Sequence, residues 1–306
     1  MLTCVLFSSN PARSDSDNET QNKAQPLFFK ERLSPMMTGP IGLNFVPSAR
    51  FQEKGTISLS TSTSDPYSHL ILGAQISENI FLGLRQSAEI SSLKDVSERL
   101  YPGLDLKFRL LEEGSYRPAV SLGLQSAFGH KRMAGEYITA SKRWHEFDFT
   151  AGMAWGRLGS AAHVRNPLGI IADHFDKSRS LDGRYPNNPG DWFTGRDVGF
   201  FAGIEFAPEN SPISIKADWG ADRYQRELAT IDGFSAPDPW SVSLDFQPEK
   251  SLSVNFGLVG GEKMMGRLTF RGSARNWPYT NKTISSPPPV YAYPTNEYSP
   301  HKINIS

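Results

Sequence analysis

The sequence predicts an all-β protein: one antiparallel transmembrane β-barrel of about 12 strands, with short periplasmic turns and long extracellular loops. Three observations predict it. Apolar and polar residues alternate with period two through most of the chain. Short and long connections between these runs also alternate. Aromatic residues collect at the run ends, where an interfacial girdle would sit.

The stretch Gly103 to Gln125 is the pattern in miniature. Leu104, Leu106, Phe108 and Leu110 share one face, and Asp105, Lys107 and Arg109 the other. After the turn from Glu112 to Arg117, Val120, Leu122 and Leu124 continue the apolar face. Successive side chains of a strand point to opposite sides, so this is a hairpin with one oily and one charged face. Further strands are predicted over 55–63, 69–77, 80–90, 137–144, 146–157, 198–206, 213–219, 240–247, 252–258 and 264–271, with no convincing helix. Turns of a few residues follow every second run, at Glu78-Asn79, EEGSYR, His145, PENS and PEK. The opposite side carries DPYS near Asp65, SSLKDVSERLYP, GHKRMAGE, 160–197 and ADRYQRELATIDGFSAPDP, and only its last connection, GGEK near Glu262, is short. A soluble meander has no reason to sort its loops by strand parity. The girdle candidates are Tyr101, Trp144, Trp155, Trp219, Trp240 and Phe270.

Four regions follow: a disordered N-terminal segment at 1–37, a Gly/Pro-punctuated lead-in at 38–54, the barrel at 55–272, and a Pro-rich periplasmic tail at 273–306. The start, MLTCVLFSS, has no basic residue and too short an apolar stretch for a secretory signal. Cys4 is a weak candidate for lipid attachment, and a start chosen too far downstream would account for the missing signal. A single cysteine also excludes an internal disulfide framework and a cysteine-based zinc site. Lysine plus arginine and aspartate plus glutamate number 32 each, so no electrostatic grip on nucleic acid is expected. Mean hydropathy of −0.41 is that of a soluble protein, but half of every barrel strand faces a polar interior.

If the oily face meets lipid, the other face lines the lumen with Arg85, Asp105, Lys107, Arg109, Asp148, Glu205, Lys216, Asp218, Asp245, Arg267 and Arg271. Charges of both signs in a narrow barrel form, in the simplest reading, a structural network; a conduction role is the alternative. The loop over 160–197 holds Tyr185, Trp192 and Phe193 beside Asn187, Asn188 and Asp191, a grouping suited to sugar rings as well as to ordinary loop packing. His163, Asp173, His174 and Asp176 in that loop lack a fixed ligand spacing, so no metal and no cofactor is expected. Phosphate-loop, HExxH and GxSxG motifs are absent, and no His and Ser stand two apart on a strand.

Several stretches, in order over about 230 residues, resemble the YjbH family of outer-membrane exopolysaccharide-biosynthesis proteins. They are TGPIGLNFVPSAR, DLKFRLLEEGSYRPAVSLGLQ, EYITASKRWHEFDFTAGMAWGRLGS, NPLGII, DWFTGRDVGFFAGIEF and ISIKADWGADRYQRE. The resemblance implies a non-enzymatic outer-membrane barrel for exopolysaccharide or capsule biosynthesis and secretion, in a Gram-negative bacterium. Its implied partners are outer-membrane lipid, polysaccharide and other assembly proteins, and no catalytic residues carry over. The family includes capsule-operon lipoproteins, and its members are typically much longer than this chain. The alternatives are a general porin or small-solute channel and a soluble sugar-binding β-sandwich.

Overall fold

The computed structural model describes residues 33–90, 99–179 and 186–274. Among them, twelve long strands form one closed antiparallel sheet: β1 (Thr56–Ser64), β2 (Tyr67–Ser77), β3 (Ile80–Glu89), β4 (Leu100–Leu111), β5 (Ala119–His130), β6 (Gly135–Trp144), β7 (Phe147–Ala154), β8 (Asp197–Phe206), β9 (Ile213–Trp219), β10 (Trp240–Glu249), β11 (Leu252–Val259) and β12 (Lys263–Ser273). Each pairs with its sequence neighbour. The ring closes where β1 meets β12, from Thr56 opposite Ser273 to Ser64 opposite Met265. Closure removes both sheet edges, so no row of backbone donors and acceptors is left to face hydrocarbon.

The side chains are arranged inside out relative to a water-soluble protein. Leu59, Leu72, Leu84, Leu244 and Phe256 point outward and are about half exposed, while Ser60, Arg85 and Asp245 on the same strands are at most 2% exposed. A continuous apolar belt around a polar interior is stable only with lipid outside. Among the described residues one sheet wraps on itself with no second layer against the outer face, so the sandwich alternative falls.

The period-two reading locates every strand, with ends that move by a few residues. It fails in four places. The first is β5, where Leu104 lies opposite Phe128 but Leu106 opposite Leu124. The extra residues form a bulge that turns Ser126 inward, at φ 46°, beneath Arg85 and Asp105. Second, two girdle candidates are not in the girdle. Tyr101 and Trp155 are buried at 4% and 3% exposure, whereas Trp144, Trp219 and Phe270 are at least half exposed. Tyr101 has the inward parity of Asp105, and β7 stops at Ala154, so Trp155 belongs to the loop that follows. Third, the connection after β9 contains a short helix, α1 (Gln225–Thr230), where none was expected.

The fourth departure is the largest. Residues 33–52 are irregular, as Gly/Pro punctuation requires, but they do not simply lead into β1. They fill the lumen. Met36, Met37, Leu43 and Val46 are at most 2% exposed, so the described part of the 1–37 segment is ordered and enclosed rather than disordered. Cys4, Tyr185 and the tail beyond Ala274 lie outside the described residues.

The outward face makes a direct test. Leu244→Arg near the middle of β10 is expected to lower folding stability in a phosphatidylcholine bilayer by about 2–4 kcal/mol. Urea titration of the refolded barrel reads it, and Leu244→Met at the same lipid-facing position gives a much smaller change.

Candidate functional site

The lumen and the segment inside it form the candidate site. Residues 33–52 enter at the short-turn end, rise to the long-loop half and return. Leu33 meets Arg271 near the short-turn end of β12, Val46 packs with Tyr137, Ala154 and Phe201 higher up, and Arg50 is back beside Glu113 and Asp148. Small inward side chains on one wall make the room. Ser58, Ser60, Ser62 and Ser64 of β1 and Ser241 and Ser243 of β10 are all buried there. Gly203 does the same on β8: a Cβ there would come within 2.2 Å of Leu43 Cδ1.

A loop without regular structure cannot be buried unless its backbone polar groups find partners. The charged wall supplies them. Asp218 Oδ2 accepts from three consecutive plug amides, Asn44, Phe45 and Val46, at 2.9, 2.8 and 3.1 Å. Lys107 Nζ donates to the carbonyls of Ile41 (3.1 Å) and Arg50 (2.6 Å) and lies 4.6 Å from the Phe51 ring centroid. Lys216 Nζ donates to Gly42 O (2.9 Å) and Ser34 Oγ (2.6 Å). Arg267 donates to the Pro35 carbonyl and Arg271 to that of Leu33. Asp245 accepts from Ser34 and sits 3.4 Å from Lys216 and 3.3 Å from Arg267. Asp148 holds Arg50 through two hydrogen bonds, of 2.8 and 2.7 Å.

The remaining residues expected to line the lumen also face inward. Arg85 and Asp105 form a two-pronged pair, both bonds at 3.0 Å. Glu205 accepts from Ser214 at 2.7 Å, and the Arg109 guanidinium lies 4.9 Å from the Phe51 ring centroid. The periodicity finds which side chains share this face. It does not find their ligand, because the plug has no period and its contacts span up to 238 positions.

The long-loop end is closed by a second assembly. Glu227 of α1 is fully buried, accepts from Arg157 (2.7 Å) and Tyr67, and lies 3.4 Å from Arg132. Arg132 also pairs with Glu89 at 3.0 Å, and Arg157 with Asp222 at 2.7 Å. Burial raises the Glu227 carboxyl, but Arg157, the Tyr67 hydroxyl and Arg132 outweigh it and hold it at about 2. Between this latch and the top of the plug lies a cavity of about 70 Å³, lined by Thr38, Phe45, His69, Tyr67, Arg157 and Tyr224 among others. That is room enough to hold water.

Trp192 and Phe193 are half-buried and take part in loop packing. Trp192 donates to Ala127 O (3.1 Å) and meets Phe128 edge-on, and Phe193 meets Trp155 edge-on at 5.2 Å. They rivet the long loop to the barrel, together with buried Glu136, which binds Arg179 and the Phe193 amide. His163 stacks on Phe200 and Asp176 pairs with Arg165. Among the described residues no three His, Cys, Asp or Glu side chains gather as metal ligands.

One pairing was invisible along the chain. His69 and Ser87 face each other across β2 and β3, with Nδ1 and Oγ 2.8 Å apart. Spacing within one strand cannot reveal a cross-strand pair. Ser87 Oγ also accepts from Arg85 at 2.7 Å, which makes it a bridging hydroxyl in the network rather than a free nucleophile.

Fold and site together define a plugged membrane β-barrel. A family model described as "Exopolysaccharide biosynthesis protein YbjH" matches residues 34–304, so the chain belongs to the YjbH family. A relative, "Uncharacterized lipoprotein YjbH" of Escherichia coli (strain K12), is 30% identical over 247 residues, covering 76% of this chain and 34% of that protein. The chain therefore spans about a third of that relative's length. Among solved structures, a KdgM porin in complex with disordered oligogalacturonate has 9% identity and a TM-score of 0.38, over 71% of this chain and 98% of that one. A NanC porin has 8% identity and a TM-score of 0.35 over the same shares. OccK11 of Pseudomonas aeruginosa has 11% and 0.27, over 71% and 66%.

Two outcomes check the site. Asp218→Ala leaves three buried amides without their acceptor, at a cost of about 1–3 kcal/mol for each orphaned group. Hydrogen exchange at Asn44–Val46 should accelerate strongly, and Asp218→Asn, which keeps one carbonyl oxygen, should sit between it and the parent. For the latch, the Glu227 carboxyl is lower in the folded state than its ordinary 4.5. Its contribution is complete above that value and is lost as pH falls toward about 2. Protease protection of α1 should fade across that window, and Glu227→Gln should remove the dependence.

Proposed function

We propose that this chain is an outer-membrane, non-enzymatic barrel that serves the assembly or export of an extracellular polysaccharide. Its short turns lie in the periplasm and its long loops outside the cell. Family membership over residues 34–304 carries the reading. The architecture supports it: an apolar belt suited to lipid, a polar interior, and buried side chains committed to one another rather than poised for bond-making. Other proteins of the polysaccharide-assembly route and the polymer itself are the implied partners.

A general porin would need a standing aqueous path. Here the plug and the latch fill both halves of the lumen, which favours an accessory or gated role over free diffusion of small solutes.

The reading is tested in the cell. Deletion of the gene should lower or alter secreted or capsular polysaccharide, and the protein should fractionate with the outer membrane and migrate faster on gels when unheated. Unchanged polysaccharide in the deletion strain would overturn the pathway assignment. A protein that stays in aqueous fractions without detergent would overturn the location.

A further inference from the structure

Two of the four cations that grip the plug through its carbonyls have no carboxylate in ion-pair contact among the described residues. Lys107, Lys216, Arg267 and Arg271 each donate to a plug carbonyl. Asp245 and, at 4.0 Å, Glu205 are the acidic groups paired with this set, and both serve Lys216. Lys107 and Arg271 have peptide carbonyls and the Gln247 amide as acceptors instead of carboxylates.

The plug also fills these donors incompletely. Nε of Arg267, in a side chain fully shielded from solvent, has no acceptor among the described residues, and neither has Nε of Arg271. A buried donor without an acceptor costs free energy that a richer acceptor would recover. Neutral carbonyls are weaker partners for guanidinium and ammonium than carboxylates are. The plug is thus a tolerable occupant of this wall, and a chain bearing carboxylates would be a better one.

Geometry leaves the plug a way out. It enters and returns at the same, short-turn end, with Leu33 and Arg50 both there, so it can withdraw as one unit without crossing the wall. Withdrawal removes Arg50 from Glu113 and Asp148, but these keep Lys142 and Arg143 as partners. It leaves Lys107 and Arg271 without a carboxylate in ion-pair contact among the described residues.

From these observations we infer that residues 33–52 are a displaceable stopper, and that the cations beneath them form a binding track for the carboxylates of an acidic, uronate-bearing polysaccharide. The inference rests on the export reading above and adds to it the substrate class and the means of closure.

Single-channel recording in planar bilayers with the purified full chain tests it. The parent should be closed with rare openings. Asp218→Ala, which removes the acceptor of three plug amides, should raise open probability at least tenfold. A crosslink should abolish opening: Ala49→Cys with Ser141→Cys on a Cys4→Ser background, where the Ala49 amide and Ser141 hydroxyl are 2.8 Å apart. Reduction should restore it. Both variants must first show heat-modifiable migration, and Leu43→Ala serves as a second loosening change if Asp218→Ala does not fold. In the loosened pore, alginate oligomers should block current at a tenfold or more lower concentration than dextran oligomers, and Lys107→Met with Arg271→Met should erase that difference.

Folded, loosened variants that stay as closed as the parent would overturn the stopper, as would a crosslinked protein that still conducts. Equal block by alginate and dextran would overturn the acidic substrate class. Either result alongside a polysaccharide defect in the deletion strain leaves the export reading standing and removes only this inference.

Discussion

The structure depends on one constraint: an irregular stretch of backbone is buried inside a closed sheet, and its amides and carbonyls must be answered from the wall. Asp218 collects three adjacent amides, and Lys107, Lys216, Arg267 and Arg271 answer carbonyls in turn. Wall and plug are therefore one polar network. A wall of buried charges without the plug would lack partners, and the plug without the wall would have no reason to order.

That dependence explains features that look unrelated along the chain. The serines of β1 and β10 provide volume as well as polarity, since larger inward side chains would collide with the segment they surround. Gly203 yields space to Leu43 for the same reason. The β5 bulge spends two extra residues to bring Ser126 under the Arg85–Asp105 pair, which completes the network on the wall facing away from the serines. At the long-loop end the ionic latch around Glu227 uses the same chemistry on a side-chain scale, with arginine, tyrosine and carboxylate satisfying one another out of water.

Lipid outside and a polar network inside divide the labour. Outward positions such as Leu72 and Phe256 need only be apolar, so they hold the barrel in its solvent without specifying its contents. Inward positions are specific in identity and in register, because a carboxylate accepting three amides, or a lysine reaching two carbonyls, tolerates little displacement. The function of a member of this family is accordingly sought in the interior and its closures, and not in the wall.

The sequence by itself determined the strands, the parity that sorts Leu106 from Lys107, and the alternation of short and long connections, because each is written within a few residues of itself. It also put Arg85, Asp105 and Lys107 on one face, although it passed over Glu89, which the structure buries among Tyr101 and Arg132. Only the tertiary structure decided what that face holds. The plug has no repeat to detect, its partners lie as far as 238 positions away, and the same Gly/Pro pattern suits an exposed leader equally well. Trp155 fell on the wrong side for a related reason: proximity to a strand end is legible locally, but whether a ring meets lipid or a loop depends on what folds back over it, whereas Tyr101 carries the inward parity of Asp105 in the sequence itself. The His69–Ser87 contact became visible only when β2 and β3 were set in register, since a hydrogen bond across strands has no signature along either one.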